Sequence, residues 1–242
     1  MKFGVFSDVH GNLEALLSVL KCLEAERVDR RVCLGDLVGY GPDPGACVDL
    51  VREHADMVLA GNHDHAALGL TDLSHFNPYA RFALLWTQSQ LTAEVVSFLS
   101  GLHVANSWEG LCFAHSSPCE PLMWHYMISS EDAQANFRCF AEPICFVGHS
   151  HSPVFFVEES PVRVVCVQTT RFAIEKGKRY LINVGSVGQP RDGDPRAAYL
   201  IYDVSAGTVE LKRVPYDIAV TQEKMARAGL PRFLIDRLAI GY

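Results

Sequence analysis

The chain has 242 residues, of which 49% are hydrophobic and 20% charged, and this composition suits one large globular domain. It excludes the disordered, collagen-like and coiled-coil classes of protein. The formal net charge of −7 argues against a long nucleic acid or an anionic membrane surface as the partner. An acidic protein that binds a phosphate ester needs a local source of positive charge, and bound divalent cations supply one.

The apolar segments and the cysteines predict where the protein resides. No stretch approaches the ~20 apolar residues that a membrane span needs, and Asp8 and His10 interrupt the first apolar run, unlike in a signal peptide. None of the eight cysteines belongs to a C-x-x-C pair, and most lie in apolar runs such as 31–34 and 144–146. We therefore expect buried thiols without disulfides or a cysteine zinc site, and a cytoplasmic protein.

The first half of the chain predicts strands that alternate with helices, which implies parallel pairing. Asn12 is a predicted helix cap, and Asp43-Pro44 is typical of a helix start. We expect strands over 3–7, 31–34 and 57–60, mostly helix over 77–102, a strand around Gly110 within 108–115, a helix over 130–140 and a strand over 144–147.

The second half predicts short strands separated by turn residues, a pattern typical of antiparallel hairpins. We expect strands over 154–157, 162–169, 180–184, 197–203 and 209–214, and then a short helix after Pro231. The chain shows no internal repeat, low-complexity tract or linker. A single domain over residues 1–242, with two packed sheets, is therefore the expected organisation.

Polar side chains follow the predicted strands at the points where these strands end. They are Asp8, His10, Asp36, Asn62, His115, His149 and His151. Because sites form at the carboxyl ends of parallel strands, we expect these turns to converge. Two Asp, four His and one Asn form a mixed nitrogen and oxygen set that suits Mn²⁺, Zn²⁺ or Fe. Asp36 could bridge two ions, an arrangement that supports in-line displacement at phosphorus.

The motifs D-x-H, G-D, G-N-H-D, a lone His and G-H-x-H, in this order from Asp8 to His151, resemble those of the calcineurin-like metallophosphoesterase superfamily. Residues 183–192, Asn-Val-Gly-Ser-Val-Gly-Gln-Pro-Arg-Asp, are similar to a C-terminal motif of its small prokaryotic phosphodiesterase branch. The resemblance implies an α/β fold, a four-layer αββα sandwich of two mixed β-sheets flanked by helices.

The resemblance also implies a role for each matching residue. The first ion would be held by Asp8, His10, Asp36 and His151. The second ion would be held by Asp36, Asn62, His115 and His149. A hydroxide that bridges the two ions would be the nucleophile, and His63 would contact the phosphate and protonate the leaving group. The expected cofactors are therefore two divalent metal ions, Mn²⁺ first, with Fe or Zn as alternatives. Asp36 and His63 are the expected catalytic residues.

The chain departs from the family pattern at one position. Many relatives have G-D-x-x-D, whose second Asp orients the catalytic His, but here Gly39 occupies that position. A main-chain carbonyl or a different carboxylate could orient His63 instead. Asp64 is expected to brace its turn rather than to bind metal.

Several further residues allow two interpretations. Arg191 suits bidentate recognition of the substrate phosphate, or a surface ion pair. Residues 185–188 could form a phosphate cradle of main-chain N–H groups, or only a turn. The aromatic cluster of Trp124, His125 and Tyr126 could stack a nucleobase or pack in the core, and the core is slightly favoured, as it is for Tyr40. His65 could lie behind the ligands, whereas ordinary structural roles are expected for His54, His75 and His103.

The function that the resemblance implies is hydrolysis of phosphodiester or phosphoanhydride bonds in small substrates, with nucleotides among the candidates. The alternatives are a phosphomonoesterase or protein phosphatase-like activity, and a non-catalytic metal-binding scaffold for protein interactions. The scaffold is disfavoured because His63 and every ligand are present. A nuclease acting on long polymers is disfavoured by the acidic balance and the lack of a basic stretch.

Overall fold

The computed structural model describes residues 1–167 and 169–242, and its core is a pair of β-sheets. The strands of these residues are β1 (Lys2–Phe6), β2 (Arg30–Cys33), β3 (Met57–Val58), β4 (Ala105–Trp108), β5 (Leu111–Ala114), β6 (Ile144–Val147), β7 (Val154–Ser160), β8 (Arg163–Val167), β9 (Arg171–Ala173), β10 (Arg179–Asn183), β11 (Ala197–Asp203) and β12 (Thr208–Val214). The α-helices are α1 (Leu13–Ala25), α2 (Pro44–His54), α3 (Asn62–Ala67), α4 (Pro78–Gln90), α5 (Ala93–Ser100), α6 (Ser130–Asn136), α7 (Ile218–Arg227) and α8 (Arg232–Arg237). Short 3-10 turns lie at Leu73–His75, Pro121–Met123 and Phe137–Cys139.

Both six-stranded sheets of the described residues are mixed. The first has the strand order β3-β2-β1-β11-β12-β9, and the second has the order β4-β5-β6-β10-β7-β8. In the first sheet, β1, β2 and β3 are parallel, whereas β11, β12 and β9 join them in antiparallel pairs. In the second sheet, β5, β6 and β10 are parallel. Each sheet therefore presents the carboxyl ends of parallel strands at one edge, where sites are built.

Apolar side chains pack in three layers around these sheets. Between the sheets, the buried residues include Phe3, Phe113, Phe146, Tyr180 and Leu200. The outer face of the first sheet is covered by α1 and α2, and that of the second sheet by α6. Two sheets packed face to face, each covered by helices on its outer face, form the predicted four-layer αββα sandwich. The predicted fold class is therefore confirmed.

Most predicted elements are present, and the differences have local causes. The side chain of Asn12 caps α1 by accepting from the N–H of Ala15, and α2 begins at Pro44 as predicted. The single strand expected around Gly110 is a hairpin of β4 and β5, because Gly110, at a φ of +74°, forms the turn. The helices α3 and α7 and the strand β9 were not predicted. Within the strand predicted over 162–169, Gln168 lies outside the described residues.

The cysteine prediction is wrong at one pair. Cys119 and Cys139 form a disulfide, with their Cα atoms 5.4 Å apart. The loop after β5 folds back on the end of α6, where the N–H of Cys119 donates to the side-chain oxygen of Asn136 over 3.0 Å. The two cysteines are 20 residues apart in the chain, so no short-range spacing rule indicates the pair. This pair of cysteines therefore does not support the prediction of a reducing compartment.

The helices of the described residues are all too short or too polar to span a bilayer.

The packing between the sheets predicts a large effect for Phe146→Ala. Phe146 is fully buried and its ring centroid lies 5.6 Å from that of Phe113 and 6.1 Å from that of Tyr202. We expect the substitution to lower the free energy of unfolding by about 3–5 kcal/mol, because it leaves a cavity. Urea denaturation measures this change. Val162→Ala, at a side chain that is 81% exposed, is the control; equal effects of the two substitutions would contradict the core assignment.

Candidate metal centre

The seven residues predicted as metal ligands converge at one edge of the two sheets. They come from the turns after β1, β2, β3, β5 and β6, and α3 begins at Asn62. None of the seven is more than 8% exposed. Five separate loops thus bring polar side chains into one buried cluster, which is the convergence that the strand-end pattern predicts.

The cluster consists of two groups that share Asp36. In the first group, one donor atom from each residue lies within 4.8 Å of the others, and its members are Asp8, His10, Asp36 and His151. The second group meets the same criterion, and its members are Asp36, His115 and His149. Within the first group, the Nε2 atoms of His10 and His151 lie only 2.9 Å apart. Two ring nitrogens at this distance need a proton or a cation between them.

Each of the four histidines contacts a main-chain carbonyl through its other ring nitrogen. These contacts join His10 Nδ1 to Val38 O (3.0 Å), His115 Nδ1 to Leu34 O (2.9 Å), His149 Nε2 to Trp124 O (2.9 Å) and His151 Nδ1 to Gln189 O (2.6 Å). A carbonyl only accepts, so each contacting nitrogen carries the proton. The remaining nitrogen of every ring then faces into the cluster, as in metal-binding histidines.

Several inward-facing atoms have no hydrogen-bond partner although they are buried. Within the described residues, they are Asp8 Oδ1, Asp36 Oδ2, Asn62 Oδ1, His115 Nε2 and His149 Nδ1. An unsatisfied buried polar atom costs about 1–3 kcal/mol, so five in one place need an explanation. Divalent cations would satisfy all of these atoms at once. The donor set therefore fits a metal centre.

The main chain at this cluster adopts uncommon conformations. Positive φ angles between 51° and 67° occur at Asp8, His10, Asp36, His149 and His151. Left-handed backbone outside glycine is unfavourable and accumulates at functional sites. Close packing adds a second constraint, since a Cβ atom at Gly61 would lie 2.0 Å from Asp36 Oδ1. The surrounding fold thus forces the ligand side chains into a narrow set of directions.

Burial and mutual charge set the protonation of the cluster. Burial lowers the pKa of His10 well below its usual value and that of His149 to about 3. Burial opposes ionisation of Asp36 as well, but the neighbouring His115 and His63 outweigh it and lower the pKa of Asp36. For His115, the Asp36 carboxylate overcomes the effect of burial and raises the pKa to about 9. An ion at this site would bind the deprotonated ring of His115.

Asp64 braces the cluster without facing it. Its Oδ1 accepts from the N–H groups of Leu37 and Val38 over 2.9 and 3.1 Å. Its Oδ2 accepts from the N–H of Gly61 over 2.9 Å. The carboxylate thus fastens the turn before α3 to the loop after β2, as the sequence predicts.

His63 is oriented by aromatic rings. Its ring centroid lies 4.4 Å from that of Tyr40, 4.7 Å from that of His10 and 5.2 Å from that of Phe76, and its buried Nδ1 lacks a hydrogen-bond partner. In the described residues, Nδ1 therefore does not donate to a carbonyl or carboxylate, the orienting contact that was expected. Gly39 explains why no acid occupies its position, since a Cβ there would lie 2.4 Å from His63 Nδ1.

A cavity of about 440 Å³ opens directly above the cluster. Its lining includes Tyr40, Asn62, His63, His75, Phe76, Trp124, Tyr126, His149, Arg191, Phe233 and Arg237. Arg191 donates to Gln189 Oε1 over 2.9 Å and to Tyr40 Oη over 3.3 Å. No carboxylate pairs with Arg191 in the described part of the chain, so the surface ion pair considered for it is wrong. Arg237 and His75 were missed by the sequence because no motif places them beside the strand ends.

Residues 185–188 do not form a phosphate cradle. The N–H groups of Val187 and Gly188 donate to the carbonyls of Ser7 and Asp8, each over 2.9 Å. The N–H of Gly185 donates to the side chain of Asn183. These donors are already satisfied, so the segment is a turn that supports the end of β1.

Trp124 and Tyr126 of the aromatic cluster lie on the cavity wall, and the favoured core placement is wrong for them. Tyr126 stacks on His149 with ring centroids 4.3 Å apart and is 52% exposed. Trp124 packs edge-on against His65, with centroids 5.2 Å apart. Tyr40 is buried as expected, yet it also contributes to the cavity wall.

Comparison with known proteins agrees with this architecture. Residues 1–207 match the family model described as a calcineurin-like phosphoesterase superfamily domain. An uncharacterized protein of Methanocaldococcus jannaschii is 38% identical over 242 residues, covering 98% of this chain and 97% of that protein. The crystal structure of a metallophosphoesterase from Sphaerobacter thermophilus is similar with a TM-score of 0.88 and 44% identity, over 100% of this chain and 99% of that one. A hypothetical protein from Pyrococcus horikoshii shares the fold at 18% identity, with a TM-score of 0.80 over 100% and 98% of the two chains.

The bracing role of Asp64 predicts a large loss of stability for Asp64→Ala. The substitution leaves three buried N–H groups without their acceptor, and we expect the free energy of unfolding to fall by about 3 kcal/mol or more. Urea denaturation in the presence of a chelator measures the effect without bound metal. Asp72→Ala is the control, because Asp72 caps an exposed turn by accepting from Ser74. A loss no larger than that of the control would contradict the bracing role.

Proposed function

The chain belongs to the calcineurin-like phosphoesterase superfamily, and we propose that it is a binuclear metal-dependent enzyme that hydrolyses phosphodiester or phosphoanhydride bonds of small substrates. The observation that carries the proposal is the convergence of buried donor atoms without partners beneath an open cavity. The metal ligands proposed here are the seven residues predicted from the sequence.

The geometry around Asp36 supports two ions rather than one. Its Oδ2 lies 3.5 Å from His10 Nε2 in the first group and 3.4 Å from His115 Nε2 in the second. Asn62 adds a buried oxygen without a partner, and it lines the cavity together with His149 of the second group. The mixed donor set suits Mn²⁺, which we propose as the ion, and also accepts Fe or Zn.

When bound, two divalent ions lower the pKa of a water molecule to about 7 and neutralise charge on the phosphate. The protein residues supply position and protons. Asp36 Oδ1 accepts from the N–H of His63 over 2.8 Å, so the ligand also anchors the start of α3. As water forms its bond to phosphorus, the bond to the leaving oxygen breaks and His63 protonates that oxygen. Burial lowers the pKa of His63 to about 4, and an adjacent anionic phosphate opposes this effect by favouring the protonated ring.

The shape and lining of the cavity support a small substrate. Its volume of about 440 Å³ is in the range of small-molecule sites. The exposed ring of Tyr126 and the neighbouring Trp124 offer faces on which a nucleobase can stack. We therefore propose nucleotide-like phosphoesters as the substrates, contacted by His63 and Arg191.

A single domain across residues 1–242 belongs to the same proposal. So does a cytoplasmic location, which the buried thiols of Cys33 and Cys47 support although Cys119 and Cys139 are paired.

Metal dependence is the first test. We expect metal-stripped protein to be inactive and Mn²⁺ to restore hydrolysis of bis-p-nitrophenyl phosphate or diadenosine tetraphosphate. In His63→Asn, kcat should fall by roughly 100-fold or more because the proton donor is lost. His54→Asn is the control, since His54 lies outside the cavity wall.

The substrate comparison also separates the alternatives. Faster turnover of p-nitrophenyl phosphate than of both other substrates would indicate a phosphomonoesterase. Binding of two ions without turnover of any of the three would contradict the proposed hydrolase and favour the scaffold.

Gly39 gives a second test of the role of His63. A Cβ atom at Gly39 would collide with the His63 ring, and the φ of +87° already disfavours other residues. We expect Gly39→Ala to lower kcat by roughly tenfold or more while two ions per chain remain bound, because the ring moves and the metal ligands do not. Enzyme kinetics and metal analysis measure the two effects. Gly45→Ala is the matched control, because a Cβ there meets only open space; full activity of Gly39→Ala would contradict this role for His63.

A further inference from the structure

Two arginines on the cavity wall have no Asp or Glu partner among the described residues. Arg191 follows the turn after β10, and Arg237 is the last residue of α8. Among the described residues, neither guanidinium forms an ion pair with an Asp or Glu side chain, and no Asp or Glu lines the cavity. This concentration of positive charge stands out in a chain with a net charge of −7.

The acidic residues adjacent to these arginines in sequence pair with other arginines. Asp192, next to Arg191, pairs with Arg213. Asp236, next to Arg237, pairs with Arg232 over 2.9 Å on the exposed side of α8. The carboxylates that could neutralise the cavity are therefore already engaged.

Both guanidiniums are held in place by contacts with groups other than Asp and Glu side chains. Arg237 packs over the ring of Phe233, 5.3 Å from its centroid, and donates to the main-chain oxygen of Tyr242. The buried Nε of Arg191 has no hydrogen-bond partner. Burial and the charge of Arg191 lower the pKa of Arg237 to about 10. Like charges in a partly buried site are unfavourable, and a bound anion would relieve this repulsion.

Tyr40 relates this pair to the metal centre. The Tyr40 ring lies 4.4 Å from the ring of His63, and the Arg191 guanidinium lies 5.7 Å from the Tyr40 centroid. Arg191 and His63 therefore lie against the same Tyr40 ring, so the positive charge is close to the residue proposed to contact the scissile phosphate. An anion bound there would be adjacent to that phosphate.

We propose that Arg191 and Arg237 form a second anion subsite, which binds the phosphate next to the scissile one and selects phosphoanhydrides over simple diesters. The inference rests on the proposed function and specifies its substrate class. In the reaction, water adds its oxygen to the scissile phosphorus and releases a proton to solvent, and the bond from phosphorus to the bridging oxygen breaks. The electron pair stays on the departing phosphate, where the two guanidiniums stabilise its charge until His63 supplies a proton.

Arg237→Gln tests the subsite by comparing two substrates with the Mn²⁺-loaded protein. We expect kcat/KM for diadenosine tetraphosphate to fall by roughly tenfold more than kcat/KM for bis-p-nitrophenyl phosphate, which has no second phosphate. Arg237→Lys should recover part of the loss because it restores the charge. Arg232→Gln on the same helix is the matched control, since the Arg232 side chain is 81% exposed and lies outside the cavity wall. Equal losses for both substrates, or no loss, would overturn the inference.

A binding measurement separates this inference from the proposed hydrolysis. Calorimetry should show that Mn²⁺-loaded protein binds adenosine 5′-(α,β-methylene)diphosphate more tightly than adenosine 5′-monophosphate, and that Arg237→Gln removes most of this difference. If no substrate is hydrolysed but the difference is present, the proposed function fails and the subsite stands. If the parent protein binds both nucleotides equally, the subsite is overturned, whether or not hydrolysis occurs.

Discussion

The contact between each cluster histidine and a main-chain carbonyl is the constraint on which the site depends. A neutral imidazole offers one N–H and one lone pair, so a carbonyl that takes the N–H determines which nitrogen faces inward. The carbonyls belong to Leu34, Val38, Trp124 and Gln189, which lie in loops from both sheets. The inward direction of the donor atoms thus requires the two sheets to be packed in one relative position. The apolar layer between the sheets supplies that rigidity.

The same requirement explains why strained backbone conformations occur at this site. Five of the seven proposed ligands have left-handed backbone, and several glycines around them leave no room for a Cβ atom. Such local costs persist only where the surrounding fold compensates for them. Here the compensation comes from the inter-sheet core, from the three N–H groups bound by Asp64, and from the turn at 185–188 that supports the end of β1. Stability and site geometry therefore depend on the same packing.

The sequence was most informative where its signals are local. Alternating strands and helices, with polar residues at the strand ends, are enough to predict that the seven side chains meet at one edge of a sheet. The cap at Asn12 and the brace at Asp64 follow from short-range chemistry in the same way. Contacts between distant parts of the chain could not be predicted from the sequence. Arg237 reaches the cavity only because α8 packs near Tyr40, and the link between Cys119 and Cys139 depends on how one loop folds against α6. The sequence could not decide between a cradle and a turn at 185–188, because the N–H partners of this segment, Ser7 and Asp8, are distant in sequence.

Anomalous diffraction from crystals grown with Mn²⁺ tests the central claim most directly, because it locates the ions without relying on a substrate. Two anomalous peaks are predicted, one among Asp8, His10, Asp36 and His151 and the other among Asp36, Asn62, His115 and His149, with Asp36 contacting both. A single peak, or peaks away from these side chains while the protein remains folded, would contradict the binuclear centre.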